Sequence, residues 1–158
     1  MENKGYWSKE YEQGRRFLIK VMPGESVISC LREFTGKEKI HHAVILSAIG
    51  SVKNVRLNSI MSGTELPITP DRLIRHEIEG PLELLSMSGN IVPGAAFNPD
   101  CHLHITASKS SGEAIGGHLA DAEAFASCEI VLTELVVSGI QRQLSKSGGT
   151  PMMFFVEH

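Results

Sequence analysis

From Ala43 onward the chain is written almost wholly in short, β-rich segments separated by turn residues, and this limits what it can fold into more than any other feature. AVILSAIGSV and VRLNSIM are pinched at Gly50-Ser51, and LIRHEIE, LELLSMSGNIV, CHLHITAS and EIVLTELVV follow. A parallel pair needs a crossover of about a dozen residues or more, which most of these gaps cannot supply, so the pairing is expected to be antiparallel. A further strand, Arg16 to Met22 (RFLIKVM), comes first and is closed by Pro23-Gly24. One helix lies between. In GESVISCLREFTG the apolar Val27, Ile28, Leu31 and Phe34 fall on one helical face, and Gly36 suits a left-handed stop. The expected class is α+β: a mainly antiparallel β-sheet with one clear helix packed on it.

Two stretches stay open: Ser62 to Pro70, which is turn-like, and Ala120 to Ser127 (ADAEAFAS), where alanine favours helix but the length is short. The tail LSKSGGTPMMFFVEH reads as a turn and a last strand at Met152 to Val156. At 158 residues the chain is expected to form a single domain, 1-158, with residues 1-13 as a polar leader. A charge balance of 15 Lys and Arg against 18 Asp and Glu, net −3, supplies no global basic field for a polyanion. Cys30, Cys101 and Cys128 are too few, and odd in number, for a disulfide framework, and fit reduced thiols in a cytoplasmic protein. No signal peptide is visible, and no uncharged apolar run approaches the ~18 residues of a membrane span.

Chemistry concentrates in CHLHIT. Alternate strand residues share a face, so His102 and His104 leave one side of the sheet while Leu103 and Ile105 leave the other. Their separation of roughly 6.6 Å along the strand lets both rings reach one ion. A third histidine ends Gly116-Gly117-His118, beyond the turn-like Ser110-Ser111-Gly112-Glu113. If this hairpin folds near Ser111 so that His118 opposes His104, three imidazoles meet on one patch; a slip of one residue would turn His118 away. Three imidazoles leave one position open on a tetrahedral ion, as catalytic zinc sites do. Zinc is the first expectation, and nickel, copper or iron also suit imidazole. The plainer alternative is a set of half-buried sheet histidines bonded to their neighbours.

Other residues carry weaker signals. His41 and His42 read as solvent-facing in the loop between helix and strand, and His76 and His158 have no His or Cys companion nearby. Cys101 points away from His102 and reads as a small apolar group. Asp100, Glu113, Glu129 and Glu134 are the carboxylates that could support a metal or act as a base, with nothing to choose among them. The phosphate-loop, dinucleotide, C-x-x-C, G-x-S-x-G and H-E-x-x-H signatures are absent. Basic residues occur in scattered pairs, Arg15-Arg16, Lys37 with Lys39, Lys53 with Arg56, and Arg72 with Arg75, which reads as a solvated surface.

The strings PGESVISCLREF, AVILSAIGSV, LELLSMSGNI, CHLHITASKSSGEAIGGHL and EIVLTELV together resemble the plants-and-prokaryotes-conserved (PPC) domain over roughly residues 14 to 156. Most specific are the pair His102 and His104, the Gly-Gly-His ending at His118, and Ser88-Gly89. The resemblance implies an α+β fold assembled as a homotrimer, with the three histidines able to bind a metal near a subunit boundary. It also implies a DNA-binding or regulatory role by family naming; a metal-dependent enzyme or a small-molecule binding module is the alternative. Plant members carry an Arg-Gly-Arg-Pro AT-hook, of which Gly14-Arg15-Arg16-Phe17 is at most an echo. Where plant members use Gly-Arg-Phe-Glu-Ile-Leu for partner binding, this chain has Gly80-Pro81-Leu82-Glu83-Leu84-Leu85, without the Arg and Phe.

Overall fold

A computed structural model describes residues 5–156. In chain order the elements are β1 (Glu12–Val21), α1 (Val27–Lys37), β2 (Ala43–Ile60), β3 (Leu73–Ile78), β4 (Leu82–Pro93), β5 (Pro99–Ser108), β6 (Ala114–Val136), β7 (Ile140–Leu144) and β8 (Pro151–Phe155). Six strands form one antiparallel sheet in the order β1-β6-β5-β4-β2-β3, and β6 also pairs with β2. That extra pairing closes β2, β4, β5 and β6 into a ring, which removes edges that an open sheet would expose. The expected α+β class and antiparallel pairing are what the structure has.

Two long strands make the closure. β2 runs 18 residues straight through Gly50-Ser51, where two separate segments were expected. Gly50 bends the strand instead of ending it: its φ is 144°, and a Cβ there would lie 2.1 Å from the Ser127 carbonyl oxygen of β6. β6 runs 23 residues and absorbs the open stretch Ala120 to Ser127. In that stretch Asp121 and Glu123 turn outward while Ala122 and Ala124 are buried, so the period is that of a strand. Tertiary pairing with β2 overrode alanine's helical preference.

Helix α1 buries Val27, Ile28, Leu31 and Thr35 against the sheet. Full burial of a side chain such as Leu31 stabilises by ~1.5–3 kcal/mol. Ser26 caps its start by accepting the Ser29 N–H at 3.1 Å, and donates its own hydroxyl to Asp121 on β6 at 2.8 Å. The end differs from expectation, because Gly36 lies within the helix and Lys39 takes the left-handed conformation, φ 55°. The Lys39 N–H bonds the Gly36 carbonyl and the Ile40 N–H the Thr35 carbonyl, with Ile40 buried beneath. The bonding pattern and the apolar seat of Ile40 fix the stop, so the left-handed position falls three residues after the glycine.

The turn-like Ser62 to Pro70 precedes a short 3-10 turn at Pro70–Arg72. The last strand falls at Pro151–Phe155, one residue ahead of expectation, and pairs with β7, which sequence reasoning did not foresee. The described part of residues 1-13 is not a detached leader. Trp7 packs on Phe154 and Phe155 with ring centroids 5.9 and 5.6 Å away, Lys9 donates to the Ser138 carbonyl, and β1 already begins at Glu12. No helix among the described residues is long and apolar enough to cross a membrane.

Candidate metal centre

β5 and β6 pair in the register that brings the histidines together, with His104 opposite His118 and Ser108 opposite Ala114 around the turn at Lys109 to Glu113. Strand alternation does the rest. Leu103, Ile105 and Ala107 enter the core, and His102, His104 and His118 gather on the other face. Ring centroids are 5.1, 5.3 and 5.4 Å apart, a near-equilateral triangle. One nitrogen from each ring lies within 4.8 Å of the others.

This geometry fits an ion. Ligands about 2.0–2.1 Å from a tetrahedral metal stand about 3.3 Å apart. The Nε2 atoms of His102 and His104 stand 3.2 Å apart, a contact that serves as an N–H···N hydrogen bond when no ion is present. A nitrogen of His118 lies within 4.8 Å of both. Burial, the largest influence, holds His102 and His118 below the usual histidine range, with Arg142 and the neighbouring histidines adding to the effect. Both rings therefore favour the neutral, metal-competent form at neutral pH.

Glycine permits the close strand approach that sets the site. Gly89 on β4 has φ 140°, and a Cβ there would stand 2.0 Å from the His102 carbonyl oxygen. Any side chain would push β5 away from β4 at the first histidine.

The other candidates separate clearly. Asp100 lies on β5 two residues before His102, and its carboxylate sits 3.2 Å from Arg142 Nε. Glu113 is at the hairpin turn with Lys109, and Glu134 is held by Arg15 at 2.8 Å. Glu129 lies in the β6 segment opposite Lys20 and Ile49, on the outer face. None of these three supports the histidines. Cys101 is packed against the core as expected, and burial pushes its thiol up to about 11. All three cysteines are free.

His41 is exposed as expected, and His76 is exposed too, but His42 is buried at 7% exposure and its Nε2–H donates to the Ile140 carbonyl at 2.9 Å. It is a staple between β2 and β7, not a solvent-facing ring. His158 lies outside the described residues. Half of these paired basic residues face carboxylates: Arg15 with Glu134 and Glu38, Lys53 with Glu123, Arg56 with Asp121, and Arg72 with Asp71.

Sequence reasoning missed Arg142. Its guanidinium, on β7, donates to Asn90 Oδ1, and Nη1 lies 3.4 Å from His102 Nδ1. No motif marks IQRQL. Only the unforeseen pairing of β7 with β8 and the packing of that hairpin beside β4 bring it to the histidines.

The model of the Plants and Prokaryotes Conserved (PCC) domain matches residues 8–136. The chain belongs to that family. The metal-containing protein of Archaeoglobus fulgidus is similar at 30% identity and a TM-score of 0.82, over 94% of this chain and 99% of that one. The plant- and prokaryote-conserved protein of Pyrococcus horikoshii follows at 28% identity and a TM-score of 0.80, over 92% and 96%. The AT-hook motif nuclear-localized protein 14 of Arabidopsis thaliana is 31% identical over 101 residues, 63% of this chain and 22% of that protein. This PCC chain spans about a fifth of the length of the curated relatives it matches. Two structures at 20% identity whose names provisionally assign DNA binding share the fold alone.

Proposed function

We propose that this PCC chain binds one divalent transition metal, zinc foremost, through His102, His104 and His118, and offers a remaining coordination position to a small molecule. The carrying observation is the convergence of three imidazoles whose nitrogens lie within 4.8 Å, two of them at the spacing of ligands on one ion. The relative described as metal-containing supports the same reading. When bound, such an ion supplies a Lewis acid toward whatever fills its open position. The chain's own residues hold the neutral imidazoles in place, and the core beneath Leu103 and Ile105 keeps the strands from shifting.

The assembly we propose is a cytoplasmic homotrimer of single-domain chains. Its support is an outer sheet face with Leu18 88%, Leu46 59% and Ile49 54% exposed, an apolar area that a second copy would cover. The DNA-binding and regulatory role rests on family naming; against it stand a net charge of −3 and the engagement of Arg15, Lys53 and Arg56 with carboxylates.

Elemental analysis after dialysis tests the metal reading: close to one metal per chain in the parent and near none in His102→Ala or His118→Ala. Full retention by both variants would sink it. Turnover that requires both metal and His118 would identify an enzyme; metal-dependent binding without turnover would identify a binding module.

A further inference from the structure

Building on the metal reading, we propose that Arg142 and the cavity it lines bind a small organic acid, with Arg142 taking the carboxylate beside the three-histidine centre. The side chain of Arg142 is only 5% exposed, and a guanidinium does not shed its proton, so a permanent cation is buried here. Its compensation is thin. Asn90 is neutral, and Asp100, though 3.2 Å from Nε, lacks hydrogen-bond alignment, so the buried Nε is without an acceptor. Of a fork of five N–H donors, Nη2 meets Asn90 Oδ1 and Nη1 faces His102 Nδ1 at 3.4 Å.

Charge sharpens the case. A divalent ion on three neutral imidazoles adds two positive charges to that of Arg142, and Asp100 returns one negative charge. Glu113, Glu129 and Glu134 are engaged elsewhere or point away. The loaded centre is therefore electrostatically incomplete and favours an anion. Hydrogen bonding agrees. A histidine that ligates through Nε2 carries its proton on Nδ1, and His102 Nδ1 faces Arg142 Nη1 at 3.4 Å. Two donors then face each other, and an acceptor oxygen satisfies both.

The cavity supplies the rest of the ligand's chemistry. It is an open cleft of about 370 Å³ lined by Gly94, Phe97, Asp100, Arg142, Leu144 and Pro151 among others. Arg142 is the cation in a wall that is otherwise neutral or apolar apart from Asp100. Such a space suits an organic body more than a bare inorganic anion. Ala96 and Phe97 both hold left-handed backbone, φ 54° and 58°, without being glycine, which is the kind of strain that accumulates where a binding surface is shaped. Arg142 also lies beyond residues 8–136, so this feature belongs to the terminal hairpin and not to the part of the chain that the family model matches.

The test uses the full chain loaded with Co(II), titrated with butyrate, butyramide and inorganic phosphate, and read by the visible cobalt spectrum and calorimetry. Butyrate is expected to bind at least tenfold more tightly than uncharged butyramide and more tightly than phosphate. Arg142→Met is expected to weaken butyrate at least tenfold while metal content stays at one per chain. Leu144→Glu, at an exposed position on the same cavity wall, is expected to weaken it several-fold, and decides the matter if Arg142→Met does not fold. Equal binding of butyramide, tighter binding of phosphate, or butyrate affinity within twofold of the parent in the folded variants would overturn the proposal. Metal analysis of the parent separates the two readings. If no metal is retained, the three-histidine reading fails by itself; butyrate is then titrated into metal-free protein, where loss of Arg142-dependent binding also overturns the carboxylate site and its persistence upholds it.

Discussion

Gly89→Ala is the substitution that most directly joins the fold to the site. The added Cβ would stand 2.0 Å from the His102 carbonyl oxygen and 2.9 Å from Leu103 Cα. An ordinary carbon-to-oxygen approach between strands is about 3.3 Å or more, so β5 must retreat by roughly 1.3 Å or the backbone must rotate. The φ of 140° adds strain of about 1–3 kcal/mol for a residue with a side chain. Displacing the fully buried Leu103 costs about 1–3 kcal/mol more. The expected loss, about 3–5 kcal/mol, is a large part of a domain's usual ~5–15 kcal/mol, so the variant should fold but unfold at much lower urea. Because the shift is centred on His102, zinc affinity measured by competition with a chelator should fall at least tenfold. Gly36→Ala is the control: it sits in a helix with nothing within 4 Å of its Cβ, and should stabilise by ~1 kcal/mol with no effect on zinc. If Gly89→Ala unfolds within about 1 kcal/mol of the parent and keeps its zinc, the close strand approach does not set the site.

Three further outcomes follow from the same structure. Lys39→Gly relieves an exposed left-handed residue at the helix end and should raise the urea midpoint by an amount equivalent to about 1 kcal/mol; a lowered midpoint would show that the Lys39 side chain contributes more than its backbone strain costs. Burial holds His42 below its ordinary value of 6.5, so the unfolded chain binds the proton more readily. Its contribution to stability is therefore present above pH 6.5 and is lost as pH falls through the folded-state pKa, and His42→Gln should flatten the fall in stability between about pH 7 and 5. An unchanged slope would assign that fall to other groups. Duplex DNA at about 150 mM salt should bind weakly and without sequence preference; nanomolar affinity for a defined sequence, abolished by changing Arg15 and Arg16 or Arg72 and Arg75, would refute the charge argument.

The alternation of CHLHIT makes much of the site legible in the sequence. Period-2 geometry assigns faces without knowing neighbours, so the shared face of His102 and His104 and the opposite face of Leu103 and Ile105 follow from the sequence alone, whereas the register of His118 is only an assumption until the pairing of β5 with β6 supplies it. The helix was legible for a similar reason, since Val27, Ile28, Leu31 and Phe34 repeat at helical spacing. Local pattern failed where partners outvoted it. Gly50 looks like a stop in isolation and becomes a bend once β6 crosses it, and Ala120 to Ser127 looks weakly helical until β2 pairs with it.

Arg142 and His42 mark where local reading ends. Neither is placed by its own neighbours in sequence: Arg142 is 40 residues from His102, and His42 is 98 from Ile140. Both depend on the terminal hairpin packing beside β4, where β7 receives the His42 bond and sends Arg142 to Asn90. The same hairpin is anchored from the other side by Trp7 on Phe154 and Phe155. Three contacts remote in sequence thus place one guanidinium at the site. Two sources of specificity are layered in this chain. The histidine triad is written into a single β-hairpin within the matched family region, whereas Arg142 and one wall of the cavity beside it come from a segment beyond residues 8–136. On the proposed metal reading, relatives that keep the hairpin but differ in the terminal segment are expected to hold the same ion and present it to a different ligand.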